Sequence, residues 1–311
     1  MILTKPNSSR RRIAAVGMYD GVHLGHKFLI DYLVLEARVR SLVPAAVTFA
    51  QHPLSVVRPD EAPLLLVTAE EKYKRLENAG IDDVIVLNFD EKMRRLSARS
   101  FLYMLHKRWG IDTLIVGFNN RFGRDRIDGI EQYRQIGAEI GLEVTEAPEY
   151  KGPYSPVSSS AIRKLISEGK IEKADAMLGY PYAVTGTVVP GRQLGRTLGF
   201  PTANIQPDRP CVIPACGVYA TMTTTPDGVA RPTILNIGHR PTVEEDPDKA
   251  ALSIEAHILD YAGYLYGETL KVEFISRIRD ERKFDSLDKL KRAIASDTRK
   301  ARSILAHDNI K

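Results

Sequence analysis

Ile13-Ala14-Ala15-Val16-Gly17-Met18-Tyr19-Asp20-Gly21-Val22-His23-Leu24-Gly25-His26 decides how the chain is read. An apolar run of strand length breaks at Gly17, and a long amphipathic stretch follows His26, so the segment between them is a strand-to-helix turn. Two imidazoles, His23 and His26, fall on that turn. A helix opening there points its unpaired amides and the positive end of its dipole at whatever the turn holds, and the histidines add donors in the same place. Gly17 closes the strand, and Gly25 leaves room for close backbone approach. The expected occupant is a polyphosphate of the nucleoside triphosphate kind.

Outward from this turn, residues 12–146 alternate short apolar runs (45–49, 84–87, 114–117 and 142–145) with helical patterns. Residues 69–78 read as a helix ending at Gly80, and Ser97 reads as the cap of a helix running to Trp109 and stopped by Gly110. This is the rhythm of a parallel α/β sheet, in which ligands bind beyond the carboxyl ends of the strands. His23, His26, His52 and Asn119 each follow an expected strand and are expected to converge on one cleft. Next, Ser158-Ser159-Ser160-Ala161-Ile162-Arg163 opens a helical pattern that continues to Leu178. Past Gly179-Tyr180-Pro181 the texture turns β-rich, with runs at 183–189, 217–223, 233–237, 252–259 and 270–274 between Gly and Pro turns. A small antiparallel barrel is the natural closed form. Residues 286–305 read as a helix packing through Leu287, Leu290, Ile294 and Ile304.

A chain of 311 residues suits two domains. Its 43% apolar and 27% charged content describes a soluble globular protein. The net charge of +5 is spread without a basic-aromatic block, so no nucleic-acid partner is expected. No segment approaches membrane-spanning length, and the apolar run after Arg10-Arg11-Arg12 is too short for a signal-peptide core. Cys211 and Cys216 lack a second pair or a flanking His, which argues against a zinc site or a disulfide framework and for a reducing, cytoplasmic setting. The sequence leaves room for a weak homo-oligomer.

The stretch from Gly17 to His26, the pair His52-Pro53, Val116-Gly117 with Arg121-Phe122-Gly123, and the run from Ser158 to Arg163 together resemble the nucleotidyltransferase module of the bacterial bifunctional riboflavin kinase/FMN adenylyltransferase (FAD synthetase) family. The resemblance implies transfer of AMP from ATP to the phosphate of FMN, giving FAD and pyrophosphate. A phosphate monoester, with a second pKa of ~6, is already a nucleophile at neutral pH, so charge stabilisation matters more than a base. On this reading His23 and His26 donate to phosphate oxygens, Arg163 grips the outgoing pyrophosphate, and Ser159 and Ser160 supply donors at a helix start. Gly17, Asp20, Gly25 and Asn119 belong to the ATP site, and His52 and Pro53 to the flavin site. The chain departs from the family pattern at Tyr19, at Ala50-Gln51 and at Asn119. Neutral Asn119, where Asp is usual, can still hydrogen-bond a ribose or base but holds a cation less well.

Gly191-Arg192-Gln193-Leu194-Gly195-Arg196-Thr197-Leu198-Gly199-Phe200-Pro201-Thr202-Ala203-Asn204 is basic and glycine-punctuated, as a loop wrapping phosphates with amides would be, and it is not a Walker loop. It resembles the riboflavin kinase signature, continued by the runs at 217–220, 236–242, 255–260 and 279–284. The resemblance implies transfer of the ATP γ-phosphoryl to the terminal ribityl hydroxyl of riboflavin, an alcohol that needs a base. By the resemblance that base is Glu255. Gly191, Gly195, Arg196, Gly199, Thr202 and Asn204 serve ATP, Thr202 and Asn204 also serve Mg2+, and Arg279 contacts flavin or phosphate. By the residues alone, Glu255 and His257 read as the wet face of a strand, and only the resemblance reverses this for Glu255. The resemblance implies an α/β fold: a nucleotidyltransferase-type parallel sheet over 1–181, then an antiparallel β-barrel with a C-terminal helix over 182–311. Two other readings stay open, a front domain acting on another phosphorylated metabolite, and a flavin-binding or RNA-associated regulatory module.

Overall fold

The computed structural model describes residues 1–117, 121–125, 127, 129–191, 199–239 and 252–308. By internal contacts it parts into two units, Met1–Ser159 and Ser160–Lys311.

In the first unit six strands form one parallel sheet: β1 (Ile2–Leu3), β2 (Arg12–Val16), β3 (Val43–Phe49), β4 (Asp83–Leu87), β5 (Ile111–Val116) and β6 (Glu143–Glu146), in the order β1-β4-β3-β2-β5-β6. The connections carry α1 (Leu24–Arg40), α2 (Leu54–Val57), α3 (Ala69–Asn78), α4 (Glu91–Arg94), α5 (Ala98–Trp109) and α6 (Ile130–Ile140). Period-two alternation divides the strands between two cores. Ala14, Val16, Val47 and Leu114 pack with Leu102 and Leu105 of α5, while Ile13, Ala15, Ala46 and Ile115 pack with Ile30 and Leu33 of α1 and Leu76 of α3. Helices therefore cover both faces, and a near-continuous apolar strand such as β2, buried throughout, is what such a layer requires. The chain order reverses between β2 and β5, so the ends of those strands open a crevice at a topological switch point.

The helix limits follow local chemistry. Thr68 and Ser97 cap α3 and α5 by accepting from the amides of Glu71 (3.0 Å) and Ser100 (3.2 Å). Gly110 ends α5 at φ 61°, where an added Cβ would lie 2.4 Å from the carbonyl oxygen of Arg10. At the opposite edge of the sheet from the His23 turn, Arg12 is fully buried. Its Nε lies 2.8 Å from Asp83 Oδ2, and its Nη1 donates to the carbonyls of Asn7 and Trp109 at 2.8 Å each.

In the second unit, α7 (Ser159–Ser167) and α8 (Ile171–Leu178) precede a closed antiparallel barrel of β7 (Ala183–Val189), β8 (Ala203–Pro207), β9 (Gly217–Thr224), β10 (Ala230–His239), β11 (Leu252–Ile258) and β12 (Thr269–Arg279), ordered β10-β11-β8-β7-β12-β9. The long helix α9 (Leu287–Asp308) packs Ala301 and Leu305 against Val218, Ala220 and Ile234. The α/β sheet unit followed by a barrel and terminal helix is the architecture expected from the sequence. Three details differ. The helical pattern expected to run unbroken to Leu178 is interrupted at Gly169 (φ 72°), where a Cβ would meet Arg277 Nη1 and the Tyr219 hydroxyl at 3.0 Å. Leu287, expected on the packing face of α9, is 57% exposed, and Ala293, Ala301 and Leu305 are its buried apolar residues among those described. Strand β8 lies where only a phosphate loop was anticipated. Among the described residues no helix is long and apolar enough to cross a membrane.

Removing one partner of a buried ion pair leaves the other charge uncompensated. Asp83→Asn is expected to lower the unfolding free energy of the first unit by about 3–5 kcal/mol. Asp112→Asn, which breaks the solvent-exposed pair with Arg11, is expected to cost less than about 1 kcal/mol. Urea unfolding followed for both variants checks this; equal midpoints would contradict it.

Candidate active sites

The turn after β2 is built around stacked imidazoles. His23 is the N-cap of α1, and its Nδ1 accepts from the backbone amide of His26 at 3.3 Å, which leaves its proton on Nε2. The two rings lie 3.7 Å apart and nearly parallel, at 13°. Burial, followed by the charges of His23 and Lys72, holds the His26 imidazole well below the ordinary histidine range, so it is neutral. The ring of Tyr19 stands edge-on to His26 at 5.2 Å, its hydroxyl donating to the Ala15 carbonyl at 3.0 Å. Burial raises the pKa of that hydroxyl well above the usual range.

Tyr19 (φ 50°) and Val22 (φ 38°) both adopt left-handed backbone conformations, which for a β-branched valine is strained. The turn is tied down from two sides. Ser159 Oγ donates to the Asp20 carbonyl at 2.9 Å, and the Asp20 carboxylate accepts from the amides of Leu66 (2.9 Å) and Val67 (3.4 Å). Asp20, expected to contact ATP, is thus 3% exposed and turned toward the 66–67 backbone; its observed work is to anchor the turn. An added Cβ at Gly17 would lie 3.2 Å from the Tyr19 ring, so the strand end and that ring pack closely. At Gly25 it would meet only the His23 ring at 3.4 Å and the Val157 carbonyl at 3.6 Å, so the protein's own packing does not demand a glycine there.

A cavity of about 580 Å³ opens at the carboxyl edge of the sheet, walled by Gly17, Phe49, Pro53, Phe89 and Phe122, with Arg121 on its lining. Gly17, expected at the ATP site, and Pro53, expected at the flavin site, both line it. His52 does not line it, and its Nδ1 accepts from the Leu54 amide at 3.2 Å, holding the start of α2. Asn119 lies outside the described residues. Ser159 opens α7, Ser160 is exposed, and Arg163, one turn on, is half-buried with Nη1 3.5 Å from Ser160 Oγ. Lys72 was missed by the sequence reading, since Glu70-Glu71-Lys72-Tyr73-Lys74 has the composition of a solvated helix face. In the structure its Nζ is buried against Thr48 Oγ1 and the Phe49 carbonyl, both at 3.1 Å.

In the barrel, strand alternation sorts the chemistry of β11. Glu255 and His257 line a cavity of about 240 Å³ together with Thr202, Asn236, Arg279 and Phe284. Ala256 and Ile258 line a second cavity of about 490 Å³ on the other face, which Tyr261, Tyr264 and Tyr266 also border. Thr202 borders both. Asn204 pairs directly with Glu255 across β8 and β11, and Asn236 pairs with it across β10. The stretch before Asn204 is pinned by His257, whose Nδ1 donates to the Pro201 carbonyl at 2.7 Å while Phe200 stands edge-on to its ring at 5.6 Å. His257 read as a wet strand face; its spacing of two from Glu255 was the available signal.

Arg279 lines the smaller cavity but carries its own counter-ion. Its Nε and Nη2 reach the nearly buried Asp297 carboxylate of α9 at 2.9–3.2 Å, and its guanidinium lies 5.7 Å from the Phe284 ring centre. An added Cβ at Gly191 would fall 2.0 Å from Asn204 Nδ2, so any side chain there would have to displace that carboxamide. Gly199 takes φ 84° with open space around it. Gly195 and Arg196 lie outside the described residues. The neutral oxygens of Thr202 and Asn204 suit a hard cation that takes its remaining ligands from water and phosphate. Among the described residues no group of three or more His, Cys, Asp or Glu could hold a metal by itself.

Comparison with known proteins gives this geometry a family. A model described as FAD synthetase matches residues 5–161, and one described as riboflavin kinase matches residues 178–305. The chain is 36% identical over 291 residues to the bifunctional riboflavin kinase/FMN adenylyltransferase of Escherichia coli (strain K12), covering 93% of this chain and 91% of that one. It is 32% identical to the protein of that name from Bacillus subtilis (strain 168), covering 94% and 92%. A solved structure described as a macrolide-efflux protein from Streptococcus pneumoniae aligns with a TM-score of 0.88 at 27% identity, over 97% of this chain and 98% of that one. The two matched segments and the near full-length relatives carry one conclusion: the chain belongs to the bifunctional riboflavin kinase/FMN adenylyltransferase family.

Proposed function

We propose that this chain makes FMN from riboflavin and ATP and then FAD from FMN and ATP, with the kinase in residues 182–311 and the adenylyltransferase in 1–181. The observation that carries the reading is the division of chemistry between the units: a carboxylate on the wall of a barrel cavity in one, and stacked imidazoles at a strand-to-helix turn in the other. Each arrangement suits one nucleophile.

In the kinase step the ribityl hydroxyl must lose a proton as its oxygen attacks the γ-phosphorus. Glu255 takes that proton, with riboflavin in the cavity it shares with Phe284 and Arg279. ATP occupies the cavity on the opposite face of β11, and Thr202, common to both, stands where the two substrates meet. Gly191, Gly195, Arg196 and Gly199 supply backbone and charge around the phosphates. Thr202 and Asn204 would hold Mg2+, which would supply neutralisation of the phosphate charge when bound. Arg279, fixed by Asp297, presents a positioned cationic wall to the flavin.

In the adenylyltransferase step an FMN phosphate oxygen bonds to the α-phosphorus of ATP as the bond to pyrophosphate breaks. His23 and His26 donate to the oxygens on which charge accumulates, and the amides opening α1 face the same region. Gly25 keeps the space over that turn clear, while Ser159, Ser160 and Arg163 serve the outgoing pyrophosphate, and Asn119 serves the adenosine. FMN lies in the cavity of Gly17, Pro53 and Phe49. A cytoplasmic location goes with this reading, supported by the free thiols of Cys211 and Cys216. So does the expectation of no nucleic-acid or membrane partner and of self-association no stronger than a weak homo-oligomer.

Incubation of the purified chain with riboflavin, ATP and Mg2+ is expected to give FMN and then FAD by chromatography; FMN as the sole stable product would refute the adenylyltransferase half. Glu255→Gln is expected to slow riboflavin phosphorylation by about 10²–10⁴-fold while FMN adenylylation proceeds. His26→Ala is expected to reverse that pattern, with a loss of about 10²–10³-fold in adenylylation. Equal loss of both steps in either folded variant would contradict the separation of roles.

A further inference from the structure

Lys72 sits on α3, yet it is only 5% exposed. Its Nζ donates to Thr48 Oγ1 and to the Phe49 carbonyl, each at 3.1 Å, at the carboxyl end of β3. Thr48 Oγ1 donates onward to the Met18 carbonyl at 3.2 Å, on the turn that carries the histidines. A chain of hydrogen bonds thus runs from a buried ammonium, through the end of one strand, into the turn after its neighbour. Burying an ammonium is costly, and the arrangement is not a simple ion pair: its hydrogen-bond acceptors are a hydroxyl and a carbonyl. Burial brings the Lys72 pKa down to about 8 against the opposing pull of Asp20, so the group is charged at neutral pH.

The groups facing His26 are the stacked His23 ring, the edge of Tyr19, and the charges of Lys72 and of Asp20 beside it. His26 Nδ1 is buried and has no hydrogen-bond partner. A second proton on the ring would put an N–H there with nothing to accept it, beside a cation. The single proton belongs on Nε2.

We infer that Lys72 is a positioning residue for adenylyl transfer, its ammonium bracing the histidine turn through Thr48 and fixing His26 as a singly protonated ring that donates from Nε2. The reaction in this statement rests on the adenylyltransferase reading above; the bracing and the ring's proton do not. His26 then gives a hydrogen bond to a phosphate oxygen and neither takes nor loses a proton as the bond from the FMN oxygen to the α-phosphorus forms and the bond to pyrophosphate breaks. Lys72 itself titrates at about 8, so the wild type sheds this cation as pH rises through that value and the loss in its absence is largest at lower pH.

The test uses the full chain with histidine-selective isotope labelling, comparing wild type, Lys72→Met and Lys72→Arg. NMR titration of the ligand-free protein is expected to show the His26 midpoint rising by about one pH unit in K72M and returning in K72R. FMN adenylylation by K72M is expected to lose about tenfold or more in kcat at pH 6 and less at pH 8, with riboflavin phosphorylation unchanged. An unmoved His26 midpoint in folded K72M, or a loss equal at both pH values, overturns the inference. If K72M does not fold, Thr48→Val removes the hydroxyl link while keeping the charge. It should lower adenylylation kcat without moving the His26 midpoint, and unchanged kcat in T48V overturns the bracing role. A wild type that makes no FAD would count against the adenylyltransferase reading, while the His26 titration still decides what Lys72 does to the ring.

Discussion

The pairing of Asn204 with Glu255 across β8 and β11 is the constraint on which the barrel's chemistry depends. Side chains alternate along a strand, so a slip of one residue would carry Glu255 and His257 to the face now occupied by Ala256 and Ile258 and exchange the two cavities. Closure of the barrel prevents that slip, because β11 is held on its other side by seven consecutive partners along β10, from Thr233 opposite Ile258 to His239 opposite Leu252. A closed sheet also has no free edge at which register could drift. The position of one carboxylate is therefore fixed by the whole ring of strands.

The first unit meets a different demand with a different device. There the reactive oxygen arrives already ionised, and what is wanted is a set of donors that stays put as negative charge builds. A parallel sheet delivers it at the switch point between β2 and β5, where the chain must turn sharply into α1. The left-handed backbone at Tyr19 and Val22 is held by Ser159 on one side and by the Asp20 carboxylate on the other. Stacking at 3.7 Å suits the role, since two charged rings at that distance would repel and His26 is the one held neutral.

Much of this was legible in the residues. The strands β2 to β5 are built on apolar runs of the right length, whereas β6 buries only Val144, and the caps at Thr68 and Ser97 and the stop at Gly110 announce their helices. The barrel was visible as β-rich runs between turns. What could not be read was long-range contact. Asp20 looked like a ligand group because nothing in the sequence places the amides of Leu66 and Val67 against it, 46 and 47 residues away. Lys72 looked solvated because its neighbours in sequence are charged, whereas its neighbours in space are the end of β3. Arg279 looked available until Asp297, on a helix eighteen residues later, supplied its carboxylate. Leu287 fits the apolar stripe of α9 but falls in its first turn, where little of the barrel is left to cover it.

The central claim is that the two steps differ in where the nucleophile's proton is handled: on Glu255 for the alcohol, and on no protein group for the phosphate. The most direct measurement is the pH dependence of kcat/KM for adenylylation with FMN and with a phosphonate analogue whose second pKa is higher. If the claim holds, the acid limb follows the substrate, near ~6 for FMN and higher for the analogue. An acid limb that stays at the same pH for both substrates would place the titrating group on the protein and contradict the account.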